Sequence, residues 1–361
     1  MNLRFHWMLP KGGEVAIDAP QTPQEAARYR ILSTTNASAA PRPDLKGWSH
    51  FARHAEEAGI DSVLISFSRY EPDPLLVSCA LGRATGRLKF IVAFRSGLMQ
   101  PTTFVQQVNT LSALINGRVS LNIVNGSSTL EQHGYGDFLA HDERYARAEE
   151  FLAVCRSFWS ADGEVDFAAK HYRVERGKLH TPFLAPDRNA PEIYISGHSE
   201  QSERLAYSQG SCWLRVIDTP EKLAPLVERA RARGIGVCLR LGLICRSTRE
   251  EAVATAESLL PDDRDENTAT LKDDSQMYDE GKSAASDTYW LNRSLWAGLV
   301  PYYGPVWTTL LGTPKDVAEA FLAYKRIGVT GFIISGWPEL DELIRFGRDV
   351  LPLVREAERR R

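Results

Sequence analysis

A few short stretches carry the side chains that could do chemistry. The segment SGHSE places Ser196, Gly197, His198 and Ser199 directly before a helix-length run. Backbone amides at a helix start, aided by the helix dipole and by serine hydroxyls, bind anions such as phosphate. The plainer reading of the same residues is an ordinary capped helix. Asn122 and Asn125, followed by Gly126, Ser127 and Ser128, put amides and hydroxyls at the carboxyl end of an apolar run. In α/β folds that end of a strand is where ligands bind. Ala93 and Arg95 close the preceding apolar run. In CLRLGLIC, period-2 alternation puts Arg240 and Gly242 on one face, opposite Leu239 and Leu241. A buried arginine needs an anion or a full set of acceptors. Arg240 therefore either pairs with a carboxylate of the protein or faces a ligand, and Gly242 is expected to leave space beside it.

The elements that must position these residues centre on LKFIVAFRSGLMQPTTFVQQVNTLSALINGRVSLNIVNG, residues 88–126. Two apolar runs of strand length, Leu88 to Phe94 and Val119 to Val124, flank one helix-length segment. Pro101 suits a first helical turn, and Gly117 sits where a left-handed backbone ends the helix. Continuously apolar strands belong to a parallel sheet covered on both faces. The unit repeats along the chain. Further strands are expected at Arg4 to Leu9, Asp61 to Phe67, Glu192 to Ser196, Cys212 to Val216, Val237 to Cys245 and Gly331 to Ser335. Helices are expected at Trp48 to Ala58, Leu75 to Ala84, Asp142 to Phe158, Gln201 to Gln209, Glu221 to Arg233, Arg249 to Leu260 and Lys315 to Ile327. Eight such units predict an α/β fold closed as a (β/α)8 TIM barrel within one domain, residues 1–361. Two insertions interrupt it, at about 11–46 and 261–289. The second is dense in charge and nearly devoid of aliphatic residues. It reads either as a solvated surface loop or as a mobile lid over the carboxyl-end face, from Asp263 to Thr288.

A net charge of −3 and a pI near 6.3 give no overall field for nucleic acid or an anionic membrane, so small molecules are the expected ligands. The five cysteines are odd in number, scattered and without a CxxC pair. They read as reduced core thiols of a cytoplasmic protein, with no metal site. MNLRFHWMLP is too short and polar for a signal sequence, and no apolar run reaches membrane-spanning length. No GxGxxG follows a strand, so no dinucleotide site is indicated.

Residues 88–126, HDERYARAEEFL, EIYISGHSEQSERLA, SLWAG and LLGTPKDVAEAFLAYKRIGVTGFIISGWPELDEL together resemble the bacterial luciferase-like flavin-dependent monooxygenases, closest to the alkanesulfonate monooxygenases. The resemblance runs from near residue 4 to about residue 355. It implies a TIM barrel that uses reduced FMN and O2, with FMNH2 supplied by a separate NAD(P)H:flavin reductase. It also implies a homodimer or homotetramer and oxygen transfer through a C4a-peroxyflavin shielded from water. Ser196 to Ser199 then become the phosphate site. Ala93, Arg95, Asn122 and Asn125 face the flavin ring, and by the same resemblance Tyr145 of HDERY faces the flavin or its phosphate.

The substrate pocket departs from that pattern. Alkanesulfonate monooxygenases place there a cysteine after the second strand, a tryptophan after the sixth, an arginine and a histidine on the seventh, an arginine near the lid and a tyrosine after the eighth. The matching positions here hold Tyr70, Val216, Arg240 with Gly242, Tyr303 and Trp337, so only the seventh-strand arginine is kept. A larger, more aromatic and less cationic pocket built from Tyr70, Val216, Arg240, Tyr303 and Trp337 is expected. Its substrate would be an amine, aldehyde, sulfone or biosynthetic intermediate rather than a simple alkanesulfonate releasing sulfite. Two other readings follow from the same chain: a deazaflavin-dependent hydride-transfer enzyme of the superfamily, and a non-catalytic flavin-binding protein.

Overall fold

The computed structural model describes residues 2–10, 44–69, 71–260 and 289–360. Tyr70, the lid segment and nearly all of the first insertion lie outside them. The side chain of Tyr303 does too.

Each of the eight barrel strands forms where the apolar runs place it. In chain order the strands are β1 Arg4–Met8, β2 Ser62–Ile65, β3 Lys89–Phe94, β4 Val119–Ile123, β5 Val165–Ala168, β6 Arg173–Gly177, β7 Ile193–Ser196, β8 Cys212–Val216, β9 Gly236–Cys245, β10 Leu295–Trp296, β11 Thr309–Gly312 and β12 Gly331–Gly336. Eight of them close a parallel ring in the order β1, β2, β3, β4, β7, β8, β9, β12, with β12 returning to β1 through Phe5 against Phe332. This is the expected (β/α)8 barrel.

Helices α1 Leu45–Glu57, α2 Pro74–Ala84, α3 Pro101–Leu114, α4 Thr129–Gly134, α5 His141–Ser160, α6 Glu200–Gln209, α7 Pro220–Ala232, α8 Arg249–Glu257, α9 Val300–Tyr303, α10 Pro314–Ile327, α11 Glu339–Arg345 and α12 Leu351–Arg359 lie between or after the strands. Their local chemistry matches their ends. Pro101 takes the first turn of α3, and Gly117 has the left-handed backbone that lets the chain turn into β4, at φ +72°. Thr313 with Asp316 closes a reciprocal capping box on α10.

The wall of the barrel alternates. Outward residues such as Phe5, Phe90, Leu121, Leu239 and Phe332 join one apolar core with the helices. Inward residues Leu64, Ile91, Tyr194, Cys212, Leu214, Cys238 and Ile333 pack on each other inside the ring. The floor is polar. Arg4 pairs with Glu192 at 2.8 Å, and His6 Nδ1 meets Ser62 Oγ at 2.7 Å.

Two features of the strands differ from the sequence expectation. The β5–β6 hairpin follows α5 and was not expected, because its residues are mostly exposed and polar. Strand β11 pairs in parallel with the last four residues of β9, and β10 pairs antiparallel with β11, so a flap of sheet rises above the ring. Strand β9 is long enough for both partners: its first half pairs with β8 and its second with β11. All five cysteines are free thiols. Among the described residues no helix is long and apolar enough to cross a membrane.

Candidate active site at the barrel mouth

The loop from β7 into α6 builds a cradle. Gly197 has φ +144°, which favours glycine, and a Cβ there would lie 2.6 Å from Ser202 Cβ and 2.8 Å from the Tyr145 hydroxyl. Ser199 is the N-cap of α6 and accepts from the Ser202 amide at 3.2 Å. The amides of Glu200 and Gln201, one step earlier, have no carbonyl within the helix to bond. The Tyr145 hydroxyl faces Ser199, Asn125 and Ser202, and burial raises the phenol above its ordinary pKa, keeping it a neutral donor. His198 reaches toward β8. Its Nε2 accepts from the Val216 amide at 3.0 Å and its Nδ1 lies 3.2 Å from an Arg215 nitrogen, so the ring ties the loop to β8.

A second wall comes from the ends of β3 and β4. Ala93 and Asn122 sit side by side in register. Asn122 Oδ1 accepts from Ser196 Oγ at 2.7 Å, which joins this wall to the cradle. Arg144 Nε donates to the Asn125 carbonyl at 3.0 Å, and Ser96 Oγ reaches Asn125 Oδ1 at 3.5 Å. The buried Arg95 uses Nη2 for Glu131 at 3.0 Å. Its Nε and Nη1, with Asn125 Nδ2 and Gln132 Nε2, are buried donors without a well-directed acceptor. A buried donor left unsatisfied costs about 1–3 kcal/mol, so an acceptor brought to these atoms would be stabilising.

The third wall is β9 with its neighbours. Arg240 donates to the carbonyl of Leu241 at 2.7 Å, to that of Ile333 at 3.3 Å and to Ser335 Oγ at 2.7 Å. Val216 is its partner in register on β8. The space expected beside Gly242 is filled: a Cβ there would lie 2.6 Å from Thr309 Oγ1 and 3.3 Å from Trp307. The glycine serves the close approach of β11. Trp337, in a cis peptide bond to Pro338, is buried with Trp296, Trp307, Ile244, Leu299 and Leu311 in an apolar cluster at this end of β9 and β11.

The structure thus gathers Ala93, Asn122, Asn125, Tyr145, Ser196, Gly197 and Ser199 into one continuous surface, with Arg95 adjoining through Gly126. Arg240 and Val216 sit in register on β9 and β8, and Trp337 lies in the apolar cluster with Trp296 and Trp307. Sequence reasoning missed Ser202 and Gln132. Ser202 carried a signal in its place three residues after Ser199, the spacing of a capped first turn. Gln132, on the six-residue α4, carried none.

The model of the luciferase-like monooxygenase family matches residues 3–331. Among solved structures, a riboflavin lyase with modified FMN and riboflavin is 20% identical, with a TM-score of 0.76 over 99% of this chain and 92% of that one. The EDTA monooxygenase of Chelativorans sp. BNC1 is 19% identical, with a TM-score of 0.74 over 99% and 94%. An F420-dependent secondary alcohol dehydrogenase with an F420-acetone adduct is 16% identical, with a TM-score of 0.66 over 98% and 99%. Such identities speak for the shared barrel and not for a shared substrate. The family match, covering seven of the barrel strands and reaching the first residue of β12, carries more: the chain belongs to the luciferase-like monooxygenase family and is an enzyme of the monooxygenase class.

Proposed function

We propose that the protein binds FMN at the carboxyl-end mouth of the barrel and uses the reduced form with O2 to oxygenate a small organic substrate. The observation that carries this reading is the cradle of Gly197, Ser199 and Tyr145, joined through Asn122 and Asn125 to a wall of unsatisfied buried donors. A phosphate fits the helix start and the neutral Tyr145 hydroxyl. A ring with carbonyl oxygens on one edge fits the donors, with Ala93 beneath its face.

Bound reduced FMN supplies two electrons to O2, so that one oxygen atom enters the substrate and the other leaves as water. The residues of the chain supply the rest. Ser196, Gly197, Ser199 and Tyr145 hold the phosphate end and Asn122, Asn125 and Arg95 orient the ring. Val216 and Trp337 keep water from the reacting face, while Arg240 steers a polar group of the substrate. With no dinucleotide motif, the electrons come on flavin reduced by a separate NAD(P)H:flavin reductase. Free thiols throughout suit a reducing cytoplasm.

Ser199→Asp tests the phosphate end. Aspartate caps a helix as well as serine, so α6 is preserved while a charge is set against the phosphate. FMN affinity should fall at least tenfold while riboflavin, which lacks the phosphate, is little affected. Unchanged FMN affinity would remove the site. Tight binding of F420 with no binding of FMN would instead assign the barrel to deazaflavin chemistry.

A further inference from the structure

We infer that His198 is a positioning residue for the flavin phosphate: its imidazole stands in for a rung of the β7–β8 ladder and so lets Gly197 turn. The inference rests on the flavin reading above. Strands β7 and β8 run parallel with Ser196 opposite Leu214, and the Gly197 amide donates to the Leu214 carbonyl at 3.3 Å. Bonds in a parallel ladder come at regular intervals, so the next would run from the Val216 amide to the Gly197 carbonyl. Both groups are engaged elsewhere. The Gly197 carbonyl accepts from Trp213 Nε1 at 3.0 Å, and the Val216 amide donates to His198 Nε2 at 3.0 Å. Gly197 has φ +144°, and the turn brings it so close to Ser202 and the Tyr145 hydroxyl that a Cβ would lie 2.6 and 2.8 Å from them. Two side chains thus carry the contact between strands that the turn takes from the backbone.

Arg215 adds a second hold. Its Nη1 donates to the His198 carbonyl at 3.2 Å, its Nη2 lies 3.2 Å from Nδ1, and its guanidinium carbon is 4.7 Å from the centre of the Trp213 ring. Arginine only donates, and a neutral imidazole has one acceptor. The Val216 amide, at the shorter distance, takes that acceptor at Nε2. Removing it would leave a barrel-strand N–H without its acceptor and release the turn. A phosphate at the start of α6 depends on the aim of the amides that follow Gly197. The flavin ring, placed against the ends of β3 and β4, does not.

The test is anaerobic titration of the full-length protein with photoreduced FMN and photoreduced riboflavin, in wild type and in two amide variants. Glutamine reaches as far as Nε2 and offers the Val216 amide an acceptor, whereas asparagine stops at the reach of Nδ1. Wild type should bind FMN at least tenfold more tightly than riboflavin. His198→Asn should weaken FMN at least tenfold and leave riboflavin within threefold, while His198→Gln should keep both within threefold. A loss of FMN affinity smaller than tenfold in His198→Asn overturns the inference. So does an equal loss of both flavins, which is a general loosening of the barrel. A loss in His198→Gln as large as in His198→Asn also overturns it, because the ring and not its acceptor then holds the turn. Wild type that binds FMN no better than riboflavin overturns the phosphate site, and wild type that binds neither overturns the flavin reading itself.

Discussion

Single residues in this barrel divide between those that hold the wall together and those left with hydrogen-bonding capacity to spare. His6 belongs to the first kind. It is enclosed in the barrel floor between Ser62 and Tyr194, and burial, then the nearby Arg4 and Lys89, push its pKa down to about 3. The unfolded chain takes up a proton there near pH 6.5, while the folded chain does not until about 3. The unfolded state therefore binds more protons in between, and the contribution of a neutral His6 is present above pH 6.5 and lost as the pH falls toward 3. At about 1.4 kcal/mol per pKa unit, wild type should lose about 3 kcal/mol more than His6→Gln between pH 7 and 4.5. Glu342, raised by burial to about 7, slopes the other way between its ordinary value and 7, but it is common to both proteins and cancels in the comparison. Urea unfolding at a series of pH values reads the difference directly, and parallel stability profiles would contradict it. Arg95 belongs to the second kind, with Nε and Nη1 buried and without a hydrogen-bond partner.

At the level of elements, the barrel strands could be read in advance because burial on both faces leaves an unbroken apolar run, as in β3 and β12. The alternation around Arg240 and Gly242 was legible for the same reason, with Leu239 and Leu241 fully buried on the outer face. What fills the space at Gly242 was not. That depends on β11, a four-residue strand whose place is fixed by pairing with β9 rather than by a pattern of its own. The site divides likewise. The turn into α6 was legible from SGHSE, but the convergence of Arg95, just after β3, with Gln132 on α4 joins separate segments of the chain, and no local pattern records it. The β9 to β12 side also bears on the substrate. By the resemblance, Val216 and Trp337 replace other groups of the alkanesulfonate monooxygenase pocket, and Arg240 is the one cation of that pocket kept. C2 to C10 alkanesulfonates supplied with reduced FMN should therefore release little sulfite, and efficient release would contradict the reassignment.

For the whole molecule, one ring of eight parallel strands sets the β7–α6 turn, the ends of β3 and β4 and Arg240 on β9 around the same barrel. The insertion read as a lid, from Asp263 to Thr288, lies outside the described residues and the account does not depend on it. The central claim is that this mouth holds reduced FMN and directs its reaction with O2. The most direct measurement is rapid mixing of the protein, preloaded with reduced FMN, with air-saturated buffer while the flavin spectrum is followed. The expected record is reoxidation slower than that of free reduced FMN, with a transient species absorbing in the near ultraviolet before oxidised flavin appears. Reoxidation at the rate of free flavin, with no transient and stoichiometric hydrogen peroxide, would contradict it.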